Sequence, residues 1–233
     1  MFNLAEVVAA AVEDGPDILV LQEIENSAVV ETLQTEILKR YRYRYAAVSD
    51  TPDSAVQLAV LSRYPILRRR SHGISLEGKG YRDILEAALQ IGEAELVLFN
   101  NHWKSKSGGA EETEPARIMA AEVLRRRIGE ITTSRPEADV VILGDLNENA
   151  DEAARVEGAY PTALAPLQAA EKAPGLIISG DTAAVAAGAS GREGPVPPPV
   201  LYSPWLDPDR PAEGPEGSYY YDGGWETIDH ALL

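Results

Sequence analysis

The run Val140-Val141-Ile142-Leu143-Gly144-Asp145-Leu146-Asn147-Glu148 constrains this chain more than any other stretch. Four aliphatic residues in succession read as a strand buried on both faces, which requires a sheet with cover on either side. Gly144 frees the backbone for a sharp exit. Asp145 and Asn147 follow two residues apart, and on an extended chain both side chains leave the same face. Such a strand delivers a carboxylate and a carboxamide to the mouth of the sheet, which suits a hard divalent cation and a phosphate ester. Asp and Asn also favour turns, so these residues alone leave a plain turn open.

A chain of 233 residues fits one large domain, long enough to bury roughly 70% of its unfolded surface. No apolar run approaches the ~18 residues of a membrane span. The opening Met1-Phe2-Asn3-Leu4-Ala5-Glu6 shows no basic or apolar leader region, so no signal peptide is visible. The absence of cysteine excludes disulfides, thiolate metal sites and cysteine nucleophiles, and fits either side of a bacterial membrane. A net charge of −16 argues against a long electrostatic track along a nucleic-acid duplex. Basic residues do cluster at Arg63 and Arg68 to Arg70, and at Lys104 and Lys106. Solvated surface and a local phosphate site are both open there.

Leu4, Val7, Val8, Ala11 and Val12 share one helical face, ending near Gly15-Pro16. Asp17 to Glu23 is a second buried strand with an acid at its end. Ser27 to Arg40 returns to helical spacing, with Ser27 as N-cap. Tyr41 to Val48 alternates aromatic and basic residues, as a half-exposed strand does, and Val56 to Ser62 is a strand stopped by Tyr64-Pro65. Gly78 to Tyr81 reads as a turn, followed by a hairpin of Asp83–Ile91 and Glu95–Asn101 about Gly92. A polar loop, His102 to Gly109, precedes the longest helix, opened by Thr113 and Pro115. Residues 151–217 form an Ala/Pro/Gly-rich region of long loops within the single domain 1–233. It holds a short helix near Pro161 to Glu171, and Pro195 to Pro199 cannot form a helix or a central strand. Ser218 to Tyr221 and Thr227 to Leu233 read as a closing hairpin about Gly223-Gly224.

Glu23, His102, Asp145 with Asn147, and Asp229 thus stand at or near strand ends. Glu23 also reads as a solvated terminus, and His102 as a loop histidine bonded to backbone. Asp229 lies between Ile228 and Ala231-Leu232-Leu233; an unpaired carboxylate buried there would cost several kcal/mol, so it should face a cation, a histidine or a cavity. His230 points to the opposite face and reads as structural.

Leu21-Gln22-Glu23-Ile24-Glu25-Asn26, Asn101-His102-Trp103-Lys104-Ser105-Lys106, Gly144-Asp145-Leu146-Asn147-Glu148 and Trp225-Glu226-Thr227-Ile228-Asp229-His230 together resemble the ordered motifs of the DNase I-like endonuclease/exonuclease/phosphatase superfamily. The resemblance implies a four-layer α/β sandwich of two mixed sheets flanked by helices, and Mg²⁺- or Mn²⁺-dependent cleavage of phosphoesters. It implies metal ligation by Glu23, Asp145 and Asp229. Asp145 and Asn147 would orient the nucleophile and contact the scissile phosphate, and His102, with Arg82 from Tyr81-Arg82-Asp83-Ile84, would steady that phosphate. Its implied substrate is nucleic acid, DNA or RNA, with a small-molecule or lipid phosphatase or phosphodiesterase as the alternative. A non-catalytic phosphate- or metal-binding module is a rival from another class, and a plain α/β domain with incidental acids is a third.

Two departures from the family pattern accompany the matches. The family's first strand carries an asparagine, whereas this chain opens on the following helix, and Asn3 does not take that role. The family's last strand carries Ser-Asp-His, whereas this chain stops at Leu233, and His230 belongs to the earlier motif. The expectation is a domain lacking its first and last strands and impaired in catalysis.

Overall fold

The computed structural model describes residues 4–11, 14–51, 54–171, 173–189, 199–211 and 213–233. The chain runs α1 (Leu4–Ala11), β1 (Ile18–Ile24), α2 (Ser27–Thr32), β2 (Tyr45–Val48), β3 (Gln57–Ser62), β4 (Ile66–Leu76), β5 (Lys79–Ile91), β6 (Ala94–His102) and α3 (Ala110–Ser134). It continues through β7 (Asp139–Asp145), α4 (Glu152–Arg155), β8 (Leu164–Pro166), β9 (Leu176–Ser179), α5 (Thr182–Ala189), β10 (Val200–Tyr202), β11 (Tyr219–Tyr221), β12 (Gly224–Glu226) and β13 (Asp229–Leu232).

Two sheets stack face to face. The larger has the order β13-β7-β6-β5-β4, parallel between β6 and β7 and antiparallel elsewhere; the smaller, β1-β3-β2, is wholly antiparallel. Period-two alternation assigns the layers. Leu58 and Val60 of β3 meet Leu85, Ala87 and Leu89 of β5, Leu98 of β6 and Val141 of β7 in the core between the sheets. The other face of the small sheet, with Leu61 and Ala59, is covered by Val8 of α1 and Val30 of α2. The other face of the large sheet, with Ile84, Phe99 and Ile142, packs on Ala121, Leu124, Ile128 and Ile131 of α3. Four layers result, as expected, and β7 is covered on both faces because the smaller sheet lies against one and α3 against the other.

Several local expectations change. The N-cap of α2 is Asn26, whose Oδ1 accepts from the N–H groups of Ala28 at 3.0 Å and Val29 at 3.1 Å, not Ser27. Only Tyr45–Val48 of the expected Tyr41–Val48 strand is extended; Tyr41 and Tyr43 are buried against the helices instead. Arg68 to Arg70 lie on the edge strand β4, where three arginines hide the alternation and charge suits an unpaired edge. Arg68 pairs with Glu95 at 2.6 Å. Helix α3 begins at Ala110, ahead of Thr113, whose Oγ1 donates to the Gly109 carbonyl at 2.7 Å.

The short helix expected near Pro161 to Glu171 is instead β8 followed by a tight turn over Leu167–Ala169. Pro161 and Pro166 favour extended chain at the residues before them. Strands β8, β9 and β10 make a small parallel sheet whose Leu164, Ile178 and Leu201 join the core beside α3. The closing hairpin is β11 with β12 alone; β13 turns away at Ile228 and pairs with β7. Asn3, Val12 and Pro195 to Pro198 lie outside the described residues.

Candidate active site

Register places the site. His102, the last residue of β6, stands opposite Asp145, the last residue of β7, and Asp145 stands opposite Asp229, the first of β13. The three form one row across the mouth of the larger sheet. Glu23 arrives from the smaller sheet, at a bulge in β1 between Leu21 and Ile24, with φ +57. Directly before it, Gln22 Nε2 donates to Asn100 Oδ1 at 2.8 Å. The fully buried Asn100 amide donates in turn to the Leu21 and Ala59 carbonyls at 2.9 and 3.0 Å, tying the two sheets together beneath the site.

Glu23, His102, Asp145, Asn147 and Asp229 all line one cavity of about 890 Å³, joined by Ser105 to Gly108, Tyr219, Tyr221, Glu226 and Ile228. Strand β7 ends at Asp145, so Asn147 does not reach the cavity by strand alternation. A left-handed turn at Asn147, φ +50, returns its N–H to Asp145 Oδ1 at 2.8 Å, and its Nδ2 donates to the Trp103 carbonyl at 3.2 Å. Asp229 is exposed in the cavity rather than buried in its strand. Its N–H donates to Ser218 Oγ at 3.0 Å and its carbonyl accepts from Trp205 Nε1 at 2.7 Å. His230 is buried on the opposite face, its Nε2 at 2.8 Å from the Glu148 carbonyl.

Arg82 is placed differently. Its guanidinium donates to the carbonyls of His102 at 2.9 Å and Trp103 at 2.7 Å, bracing the end of β6. It lines a neighbouring cavity of about 660 Å³ that shares His102 and Ser105 with the first. Of the basic clusters, Lys106 reaches the main cavity, while its Nζ is 2.6 Å from Glu152 Oε2.

Burial raises the Asp145 pKa to about 6, and the facing Asp229 and Glu23 carboxylates add to the rise against hydrogen bonding from the Asn147 N–H and attraction from Arg82. Burial and the Arg82 charge lower the His102 pKa to about 4, so in the unliganded site its imidazole is neutral near pH 7. Its Nε2 is 3.7 Å from Asp145 Oδ2, beyond hydrogen-bond distance. Its Nδ1 is buried without a hydrogen-bond partner among the described residues.

A buried network fixes the loops around the cavity. Arg117 of α3, fully buried, donates to Glu114 Oε2 and to Glu148 Oε2 at 2.8 Å. It also holds the Lys104 and Ala110 carbonyls, at 3.2 and 2.8 Å, at the two ends of the polar loop. Asn149 links the same region to the last motif, its Oδ1 accepting from the Thr227 N–H at 2.8 Å. Sequence reading did not find Asn100, Arg117 or Asn149, because each acts through backbone carbonyls and carboxylates distant in sequence.

Residues 1–165 match the model of the Endonuclease/Exonuclease/phosphatase family, a family of phosphoester hydrolases, and the chain belongs to that family. Among solved structures it is similar to truncated TDP2 from Caenorhabditis elegans, at 17% identity over 99% of this chain and 75% of that one, with a TM-score of 0.60. An endonuclease/exonuclease/phosphatase family protein from Leptotrichia buccalis is similar at 15% identity over 99% and 79%, with a TM-score of 0.55. A longer C. elegans TDP2 chain aligns at 24% identity over 64% of this chain, with a TM-score of 0.50, and the match spans 43% of its length. None of the curated proteins matches the chain. The fold is that of the DNase I-like proteins.

The superfamily implies a divalent cation. Among the described residues, no three His, Asp or Glu side chains converge closely enough to cage a metal. A Mg²⁺-like ion that keeps most of its water needs only one or two carboxylates. Glu23, Asp145 and Asp229 bring carboxylate oxygens to one cavity, and oxygen is the donor such an ion takes. The oxygen donors present fit such an ion.

Proposed function

We propose that this chain is a divalent-cation-dependent phosphoesterase of nuclease type, hydrolysing phosphodiester bonds in DNA or RNA. The observation that carries the reading is the convergence of Glu23 from one sheet with the His102–Asp145–Asp229 row of the other on a single cavity. Glu23, with Asp145 or Asp229, would hold Mg²⁺ or Mn²⁺, which when bound supplies Lewis-acid stabilisation of phosphoryl charge. Asp145 lines the cavity beside Asn147, where its carboxylate is placed to take a proton from an attacking water. Asn147 lies beside it to orient that water or the phosphate. His102 offers a ring N–H to a phosphoryl oxygen, in a site where preorganised donors supply the largest stabilisation. Arg82 acts by holding the His102 and Trp103 carbonyls.

Two measurements test the reading. Thermal melting with millimolar Mg²⁺ or Mn²⁺ should show a rise that is lost in Glu23→Ala, since a ligand bound only by the folded state stabilises it by mass action. Hydrolysis of a short oligonucleotide should require the cation and fall at least a hundredfold in Asp145→Asn and in His102→Ala. Cation-independent melting, or hydrolysis unchanged by Asp145→Asn, would overturn it.

A further inference from the structure

We propose that Tyr219 and Tyr221 form a stacking subsite for an unpaired nucleobase beside the phosphate cavity. The inference rests on the nuclease-type reading above and narrows its substrate to unpaired strand. The two residues lie at alternate positions of β11, so their rings leave the same face. The ring centroids are 6.1 Å apart and the planes differ by 15°. Both residues line the cavity that holds Glu23, His102, Asp145 and Asp229. They are 48% and 62% exposed, a large aromatic area left in water at the mouth of a polar site.

The neighbouring residues sharpen the contrast. Tyr220, on the other face of β11, meets Trp225 of β12 edge-on at 5.2 Å and 68°, so that pair braces the hairpin internally. The hairpin is tied to the site at its base, where the Ser218 N–H donates to the Glu226 carbonyl at 2.8 Å and Ser218 Oγ accepts from the Asp229 N–H. The tyrosine faces therefore stand at a fixed place relative to Asp229.

A flat π-face covalently joined to a phosphate is what these rings would recognise. A nucleotide has one; lipid and sugar phosphoesters do not. A base in a duplex already spends both faces on its neighbours, so the partner is unpaired. The net charge of −16 also removes long-range attraction for a polyanion as a source of affinity. Base–aromatic stacking is worth roughly tenfold to a hundredfold in affinity per base.

The test is calorimetric binding of unlabelled tetrathymidylate and of an abasic tetramer with the same phosphates, in EDTA to prevent turnover, using the full chain. Wild type should bind the base-bearing strand at least tenfold more tightly. The preference should vanish when Tyr219→Ala and Tyr221→Ala are combined, return when both positions are Phe, and persist in Tyr220→Ala. Equal binding of the two tetramers, no binding of either, or a preference that survives the double alanine change would overturn the subsite. Hydrolysis of the abasic tetramer by wild type with Mg²⁺ tests the phosphoesterase reading separately, because it needs no base.

Discussion

Asp145 and Asp229 face each other directly across the β7–β13 ladder, two carboxylates in a cross-strand pair. Like charges so placed destabilise a sheet. With burial, they hold the Asp145 pKa near 6, above its ordinary 3.8. A raised acid pKa means that the folded state binds this proton more tightly than the unfolded chain does. The resulting stability is complete below about pH 4 and is lost as pH rises to about 6. The gap in unfolding free energy between Asp145→Asn and wild type, read by urea unfolding, should therefore widen from pH 4 to pH 6.5 in EDTA, by an amount on the order of 2 kcal/mol. Millimolar Mg²⁺ should narrow it. A gap that is flat with pH would show that the two carboxylates are not coupled to folding.

Arg117 is the buried cation on which two loops depend. Burial and the Glu114 charge push the Glu148 pKa upward, against the attraction of Arg117. Arg117→Met would leave both carboxyls buried without their partner and free the Lys104 and Ala110 carbonyls. Removing one member of a buried pair costs about 3–5 kcal/mol. Urea unfolding should show that loss, and hydrogen exchange should rise across residues 104–110. A variant with wild-type stability would mean that the network is dispensable.

Gly144 has φ +120, and a Cβ there would lie 2.2 Å from the Asn101 carbonyl oxygen. Both backbone strain and a clash with the neighbouring strand follow, so Gly144→Ala should cost about 3 kcal/mol or more. Gly92, at φ +60 with nothing within 4 Å of a built Cβ, is the control. Its alanine variant meets only the left-handed penalty, about 1–2 kcal/mol. Equal melting temperatures for the two variants would contradict the close approach of β6 and β7.

Glu86 governs the acid limb. Burial alone would raise its pKa, but hydrogen bonds from Arg127 and His72 outweigh that and bring it down to about 2. The contacts are 2.8 Å from Arg127 Nε and 2.7 Å from His72 Nε2. A depressed folded pKa contributes stability that is present above about pH 4.5 and lost as pH falls toward 2. Glu86→Gln should flatten that limb and remove on the order of 3 kcal/mol at pH 6. Parallel acid-denaturation curves for variant and wild type would refute it.

Much of this protein is legible along the chain. The aliphatic run before Gly144 declares a strand covered on both sides, and only a layered α/β fold supplies that cover. The acids, amide and histidine of the four motifs stand at strand ends in an order that the family shares. Burial and periodicity are local properties, so they survive in one dimension. Other features depend on residues distant in sequence. The β4 edge strand was hidden by Arg68 to Arg70, since an edge tolerates charge that an inner strand would not. The apolar neighbours of Asp229 left open whether it faces a cation, a histidine or a cavity, and its pairing with Asp145 at the sheet mouth sets it in the cavity. Asn147 reaches that cavity by a left-handed turn, not by strand alternation. Tyr219 and Tyr221 gained significance only when β13 left the hairpin for β7 and set them beside Glu23. Local pattern determined which residues lie in strands and which of those strands end in chemistry. Tertiary register and side-chain-to-backbone hydrogen bonding decided which strand ends meet, and hence the charge that each group carries.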